Sequence, residues 1–469
     1  MAPRSAALQR MSPSARSHSS PRLAALAAPL LLELLLALLA GIVGTVLAAR
    51  LSDAHGAGFA LAHHVFGTLF LLFRIVGAGA GVVLTQALGA GRRDEADAVA
   101  RALLGASTWI GLAVALPAAL AAAPLMRLMN APPEVLPLAT TLLVALAPVL
   151  VLDAWCASLT TVLRSHLRAR DTLAVMTAMQ GLQLLLMGPL MLGWGPWPDD
   201  WALGLPGFAL AVLLSRLLAI GLLLALWRAR LGLVPQPADG WRWRAPELRA
   251  VARIGLPGAA ENAAYRLAFL VSVAVVGQMG AAALATHAYA QQVIMVVLLF
   301  GLATGLSVEV IVGHRVGAGR LHEAHALVKR ALARGLAVSV AVATAAALLG
   351  PWLMPLFTQD AAIAAAAVTL LWWTVLLEPG RTLNLVVINA LRAAGDARYP
   401  VQVGAVSMAV VLAGGSWLLG HVLGWGLVGV WIAYAADEWL RGLLMWRRWV
   451  RLAWVPTARA ARRRPAAAP

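Results

Sequence analysis

Gln86-Ala87-Leu88-Gly89-Ala90-Gly91-Arg92 closes one long apolar stretch, and His314-Arg315-Val316-Gly317-Ala318-Gly319-Arg320 closes another 228 residues later. Extending that shift outward lays Pro29 to Arg101 over Pro257 to Lys329 without a gap, with 20 of 73 positions identical. Chance in so Ala- and Leu-rich a chain gives about one match in nine. The matches fall where backbone or charge is special: Pro29 on Pro257, Glu33 on Glu261, Gly77 on Gly305 and Glu95 on Glu323. Further on, Leu163-Arg164 falls on Leu391-Arg392. The chain is built from two related halves.

Composition sets the solvent of those halves. The 469 residues are 61% hydrophobic and 12% charged, against about 25% charged in a soluble domain. A dozen apolar stretches approach the ~20 residues that a membrane crossing needs. They predict helices near 23–47, 59–87, 100–124, 136–163, 172–193 and 203–228, then near 254–278, 284–313, 331–355, 363–391, 399–420 and 424–446. The expected fold is an all-α polytopic membrane protein of about 12 helices in two six-helix lobes, spanning 23–230 and 254–446. Residues 1–22 read as a disordered cytoplasmic tail, 231–253 as a cytoplasmic inter-lobe linker and 447–469 as a basic cytoplasmic tail. A shift that carries an even number of helices puts each motif on the same face of the membrane. The repeat is therefore parallel, about an axis along the membrane normal, and two such lobes suit alternating access.

A net charge of +17 in a soluble chain would suggest nucleic acid, but placement decides here. With the N-terminus inside, the tails and every second loop hold 31 of the 37 Lys and Arg residues, and the opposite loops hold Arg50 and Arg127. Arg74, Arg216, Arg266 and Arg381 fall inside helices. This bias predicts an arrangement with both termini cytoplasmic and no nucleic-acid partner. The lone Cys156 excludes an intramolecular disulfide and a cysteine metal cluster. No phosphate loop, nucleophile-base pattern or metal spacing occurs, so no cofactor and no enzymatic activity are expected. His63-His64 point to different sides of one helix and make a poor metal site.

Charges inside the membrane are expensive, which makes them candidates for function. Glu261 lies four residues after Pro257, and Glu33 four after Pro29. Each proline removes a helix hydrogen bond and marks a candidate kink beside a carboxylate. A carboxyl group in low dielectric can hold a proton near neutral pH and release it when water enters. Glu261 and Glu33 are therefore the candidate cation-coupling residues, against the plainer reading of carboxylates permanently paired to a cation. Arg381 and Glu378 stand one turn apart and form a candidate gating pair. Arg381 is expected to meet Glu261 or Glu378, or else to make a static local pair with Glu378. Asp153 is the repeat counterpart of Arg381, so the lobes carry opposite charge at matching places. With Trp155 it is a candidate for holding an organic cation; the alternative is an ion pair to an in-helix arginine. Asn262, Tyr265, Gln291 and Asn384 complete the candidate cavity, or serve as interhelical hydrogen bonds. Glu309 reads as structural, and Asp437, Glu438 and Arg441 as an interfacial cluster.

The two Gly-Ala-Gly-Arg motifs, Ile254-Gly255-Leu256-Pro257, Leu128-Met129-Asn130-Ala131-Pro132-Pro133-Glu134-Val135 and Leu391-Arg392-Ala393-Ala394-Gly395-Asp396 together resemble the multidrug and toxic compound extrusion (MATE) family, in its NorM-like or a divergent bacterial branch. The resemblance implies a twelve-helix antiporter that expels small drug-like, often cationic compounds in exchange for protons or sodium. Many members carry a glutamate in the part of the seventh helix where Glu261 stands. Some carry an aspartate where this chain has Gly44, and NorM-like members a carboxylate where it has Arg381. A guanidinium there repels sodium, so protons are the expected coupling ion. The expected state is a monomer in membrane lipid. The alternatives are a flippase for a lipid-linked saccharide, from the same wider superfamily, and a membrane scaffold without transport.

Overall fold

The computed structural model describes residues 23–193 and 202–462. The expected N-terminal tail, positions 194–201 and the last residues, 463–469, lie outside the described residues. The rest of the expected C-terminal tail is instead folded: it continues the preceding helix to Val450 and forms a short helix, Val455–Arg462, with Trp449, Trp454 and Ala458 buried. Among the described residues every regular element is helical. Six long helices come from the first half: α1 Leu23–Leu51, α2 Asp53–Gly89, α3 Arg93–Leu120, α4 Leu136–Ser165, α5 Ala169–Leu192 and α6 Leu205–Leu226. Six more come from the second: α7 Ala245–Gln278, α8 Ala281–Gly317, α9 Leu321–Leu353, α10 Ala361–Ala393, α11 Arg398–Ser407 and α12 Gly426–Val450. After Ser407 the winding loosens to π-type hydrogen bonding, over Met408–Gly414 and Ser416–Val422. Among the described residues, ten helices combine the length and apolar composition of a membrane crossing. Large apolar side chains such as Leu120, Leu185, Leu267 and Trp352 stay exposed, as suits a surface solvated by lipid.

Several helices start earlier than hydropathy suggests. α7 begins at Ala245, inside the stretch expected to be linker. Proline is tolerated in a first turn and Glu247 favours the amide end. Leu248, Val251 and Ile254 are buried while Arg249 and Arg253 face out, so the segment is amphipathic. What remains of the linker is pinned to α3. Trp109 Nε1 donates to the Trp241 carbonyl at 2.8 Å, and Arg244 Nη2 to Asp239 Oδ1 at 2.8 Å.

The chain divides into two compact units. One holds Leu32–Leu84 and Arg92–Gly255, packed on Phe59, Leu142, Leu143, Leu150, Met187 and Phe208. The other holds Leu256 onward, the first turns of α1 and the Thr85–Gly91 end of α2, with a core around Val276, Ile294, Leu377, Val430 and Trp431.

Within the second unit the two glycine motifs cross each other. A Cβ on Gly89 would run into the His314 carbonyl, and one on Gly317 into the Gln86 carbonyl. His314 is the repeat counterpart of Gln86 and Gly317 of Gly89, so the contact is reciprocal. The outer glycine of each motif does a different job: Gly91 (φ +77°) and Gly319 (φ +74°) take the left-handed conformation that ends the helix.

Candidate functional site

Glu261 is buried, 6% exposed, on α7. Arg392, in the last turn of α10, donates from Nη2 to its Oε2 at 2.6 Å. Two glycines make room for the pair. The Arg392 guanidinium passes over Gly258 one turn before Glu261, and the Glu261 side chain lies against Gly404 of α11. A Cβ at either place would meet the pair at ordinary contact distance, so only a side chain longer than alanine would press on it.

The other unit builds the same arrangement with repeat-related residues. Glu33 on α1 is 6% exposed, and Arg164 in the last turn of α4 donates to its Oε2. Here the carboxylate has a second partner, because the Thr172 hydroxyl of α5 reaches Glu33 Oε1 at 2.9 Å. The counterpart of Thr172 is Pro400, which has no donor to offer.

Arg381 does not pair with Glu261. The expectation that it meets Glu261 or Glu378 is resolved towards Glu378, at 2.5 Å, with Glu438 Oε1 of α12 at 3.3 Å. Arg392 occupies the Glu261 carboxylate instead. Asn384 donates to Glu438 Oε2 at 2.9 Å, and Arg441 bonds Asp437 at 2.6 Å and Glu438 at 3.1 Å. Asp437, Glu438 and Arg441 are thus not interfacial. All three are buried with Glu378 and Arg381 in one cluster, where each charge meets an opposite one.

Asp153 is held by an in-helix arginine: Arg216 of α6 donates from Nε at 3.0 Å, with Gln183 on the same guanidinium at 2.6 Å. Trp155 does not join it. Residues two apart lie on opposite faces of a helix, and the indole donates to Thr108 at 3.0 Å and packs on Gly240. Tyr265 stacks on Phe269 with centroids 6.0 Å apart. Asn262 is exposed and bonds its own helix at the Gly258 carbonyl, and Gln291 is half-buried on α8. α1 and α7 run through Pro29 and Pro257 without ending.

The sequence model of MatE matches residues 29–187 and 257–418, twice in one chain and starting each time on a proline of the repeat. The chain belongs to the MatE family. Among its relatives, the uncharacterized transporter YisQ of Bacillus subtilis is 30% identical over 91% of this chain and 93% of its own length. The probable multidrug resistance protein NorM of Bradyrhizobium diazoefficiens is 29% identical over 85% and 86%. Of solved structures, the outward-facing conformation of a multidrug resistance MATE family transporter of the MOP superfamily matches with TM-score 0.84 at 19% identity, over 93% of this chain and 96% of that one. A MOP superfamily transporter from Pyrococcus furiosus, described by the reverse polarity of its binding pocket, matches with TM-score 0.83 at 18% identity over 93% and 96%. This MatE protein shares their all-α fold and is a membrane transporter.

The arginine partners of the two glutamates in this MatE chain come into view only with the packed helices. Arg164 and Arg392 served only as marks of a Leu-Arg motif, yet the shift that superposes the glutamates superposes these arginines too. A further polar group joins Ser272, His287, Ser416 and Tyr434. Ser272 Oγ lies 2.9 Å from both Ser416 Oγ and Tyr434 Oη, and His287 Nε2 lies 3.2 Å from Tyr434 Oη.

Proposed function

We propose that this MatE transporter is a proton-coupled antiporter that exports drug-like, often cationic organic compounds across the bacterial cytoplasmic membrane. Its termini are cytoplasmic, and its lobes alternate access to the two sides as a single chain in membrane lipid. The observation that carries the reading is the Glu261–Arg392 pair: a buried carboxylate held by one arginine at 2.6 Å. A proton arriving at Glu261 competes with that arginine, and a protonated acid no longer attracts it. The kinship with NorM, named for multidrug resistance in several bacteria, supports the substrate class. The Glu33 carboxylate, with two donors, serves as an anchor rather than a second coupling site.

Arg381 supports protons over sodium in this reading. A sodium ion needs several free oxygen ligands, and here Glu378 and Glu438 already share a guanidinium. The Arg216 pair on Asp153 supports the ion-pair alternative for that residue over a role as the substrate's counter-ion. Export of ethidium from proteoliposomes under an imposed proton gradient or an imposed sodium gradient tests the coupling. The proton gradient is expected to drive export and the sodium gradient to leave it at the passive rate; the reverse result removes the reading.

A further inference from the structure

Glu309 has no counterpart in the first half, where the repeat places Gly81. It is buried on α8, 6% exposed, and its Oε2 has no hydrogen-bond partner. A carboxylate of that kind costs free energy unless something supplies a partner. The packing of α8 on α10 shows what faces it. Gly301 lies on Thr382 and Leu385, and Gly305 lies on Leu385 and Asn389. The two helices advance together by about one turn per contact, so the next turn brings Glu309 beside Arg392. The two groups are within electrostatic reach of each other, and Arg392 Nε is itself buried without a partner.

We propose that Arg392 is a shared cation that leaves Glu261 for Glu309 when Glu261 takes up a proton, and returns when the proton leaves. This deepens the coupling reading above and rests on it. The proton enters and leaves the Glu261 carboxyl; Arg392 keeps its charge throughout and changes only its partner. Glu261 is free to lose the arginine because its other oxygen lacks the hydroxyl that Thr172 gives Glu33. Arg441 of α12 also acts on Glu261, and Asp437 and Glu438 hold it in place. On α11 the facing residue is the uncharged Gly404. One turn beyond Glu309, Gly313 lies against Thr85 of α2, and Gln86 Nε2 donates to the carbonyl of Ala393 at 2.8 Å. A change of partner by Arg392 is thereby felt at the crossing of the two glycine motifs. Arg392 is a positioning residue in this scheme, and Glu309 is its alternative site.

The test is the protonation midpoint of Glu261 in the full-length reconstituted protein, followed by infrared difference spectroscopy of the carboxylic acid band over a pH series. Glu261→Gln identifies the band by removing it. Without Glu309, protonating Glu261 strands Arg392, so Glu309→Gln is expected to move the midpoint about one to two pH units towards acid, a roughly 10- to 100-fold weaker proton affinity. Glu309→Asp keeps the carboxylate and is expected to shift the midpoint by less; it also serves where Glu309→Gln does not fold. A midpoint unchanged in both variants overturns the shared cation while leaving proton coupling at Glu261 intact. A band that survives Glu261→Gln unaltered overturns the coupling reading itself.

Discussion

Arg392 holds Glu261 across 131 residues of chain, Nη2 to Oε2 at 2.6 Å, and a shift of 228 residues carries this pair onto Arg164 and Glu33. Duplication has preserved the pair while changing its surroundings. Thr172 steadies Glu33 in one unit, whereas Pro400 and Glu309 stand at the equivalent positions of Thr172 and Gly81 in the other. One copy is fastened and the other is left able to exchange.

If the first copy is an anchor, removing its charge costs stability before it costs coupling. Glu33→Gln leaves Arg164 without its carboxylate, and because that arginine is partly exposed the expected loss is about 1–3 kcal/mol. Thermal unfolding of the detergent-solubilised protein is expected to show a lower midpoint, with the pH dependence of export unchanged.

The glycine crossing has no space for a side chain. Gly317→Ala places a Cβ against the Gln86 carbonyl, and the clash is with backbone, which cannot swing aside. Export is expected to fall at least tenfold. Ala318→Gly, one residue away, is expected to keep most of it, and equal activity of the two variants contradicts the crossing.

Arg381 acts as a built-in cation among Glu378, Glu438 and Asn384. Arg381→Ala leaves two buried carboxylates sharing a site, at a cost of about 3–5 kcal/mol. Added sodium is expected to raise the unfolding temperature of this variant and to leave the wild-type protein unmoved, as read by thermal unfolding at constant ionic strength.

The helices, the parallel repeat and the buried glutamates were legible in the sequence because periodicity, hydropathy and a fixed shift are all local or one-dimensional signals. Partner choice was not. Arg392 is near the end of its helix and counts as a cytoplasmic loop charge until α7 and α10 are packed together. Glu438 and Arg441 satisfy each other at i,i+3 spacing, which hides that α10 delivers Arg381 to the same carboxylate. Trp155 was placed with Asp153 by nearness in sequence, although the helix turns them apart. Glu309 gave the clearest unused signal: a lone carboxylate that breaks the repeat close to its motif.

The central claim is that export depends on a proton at Glu261. Proteoliposomes containing an internal pH dye, given ethidium outside, report substrate and proton movement together. Wild-type protein is expected to move protons against ethidium, and Glu261→Gln to bind ethidium yet lose at least nine-tenths of the linked proton flux. Undiminished ethidium-linked proton flux in Glu261→Gln would contradict the account.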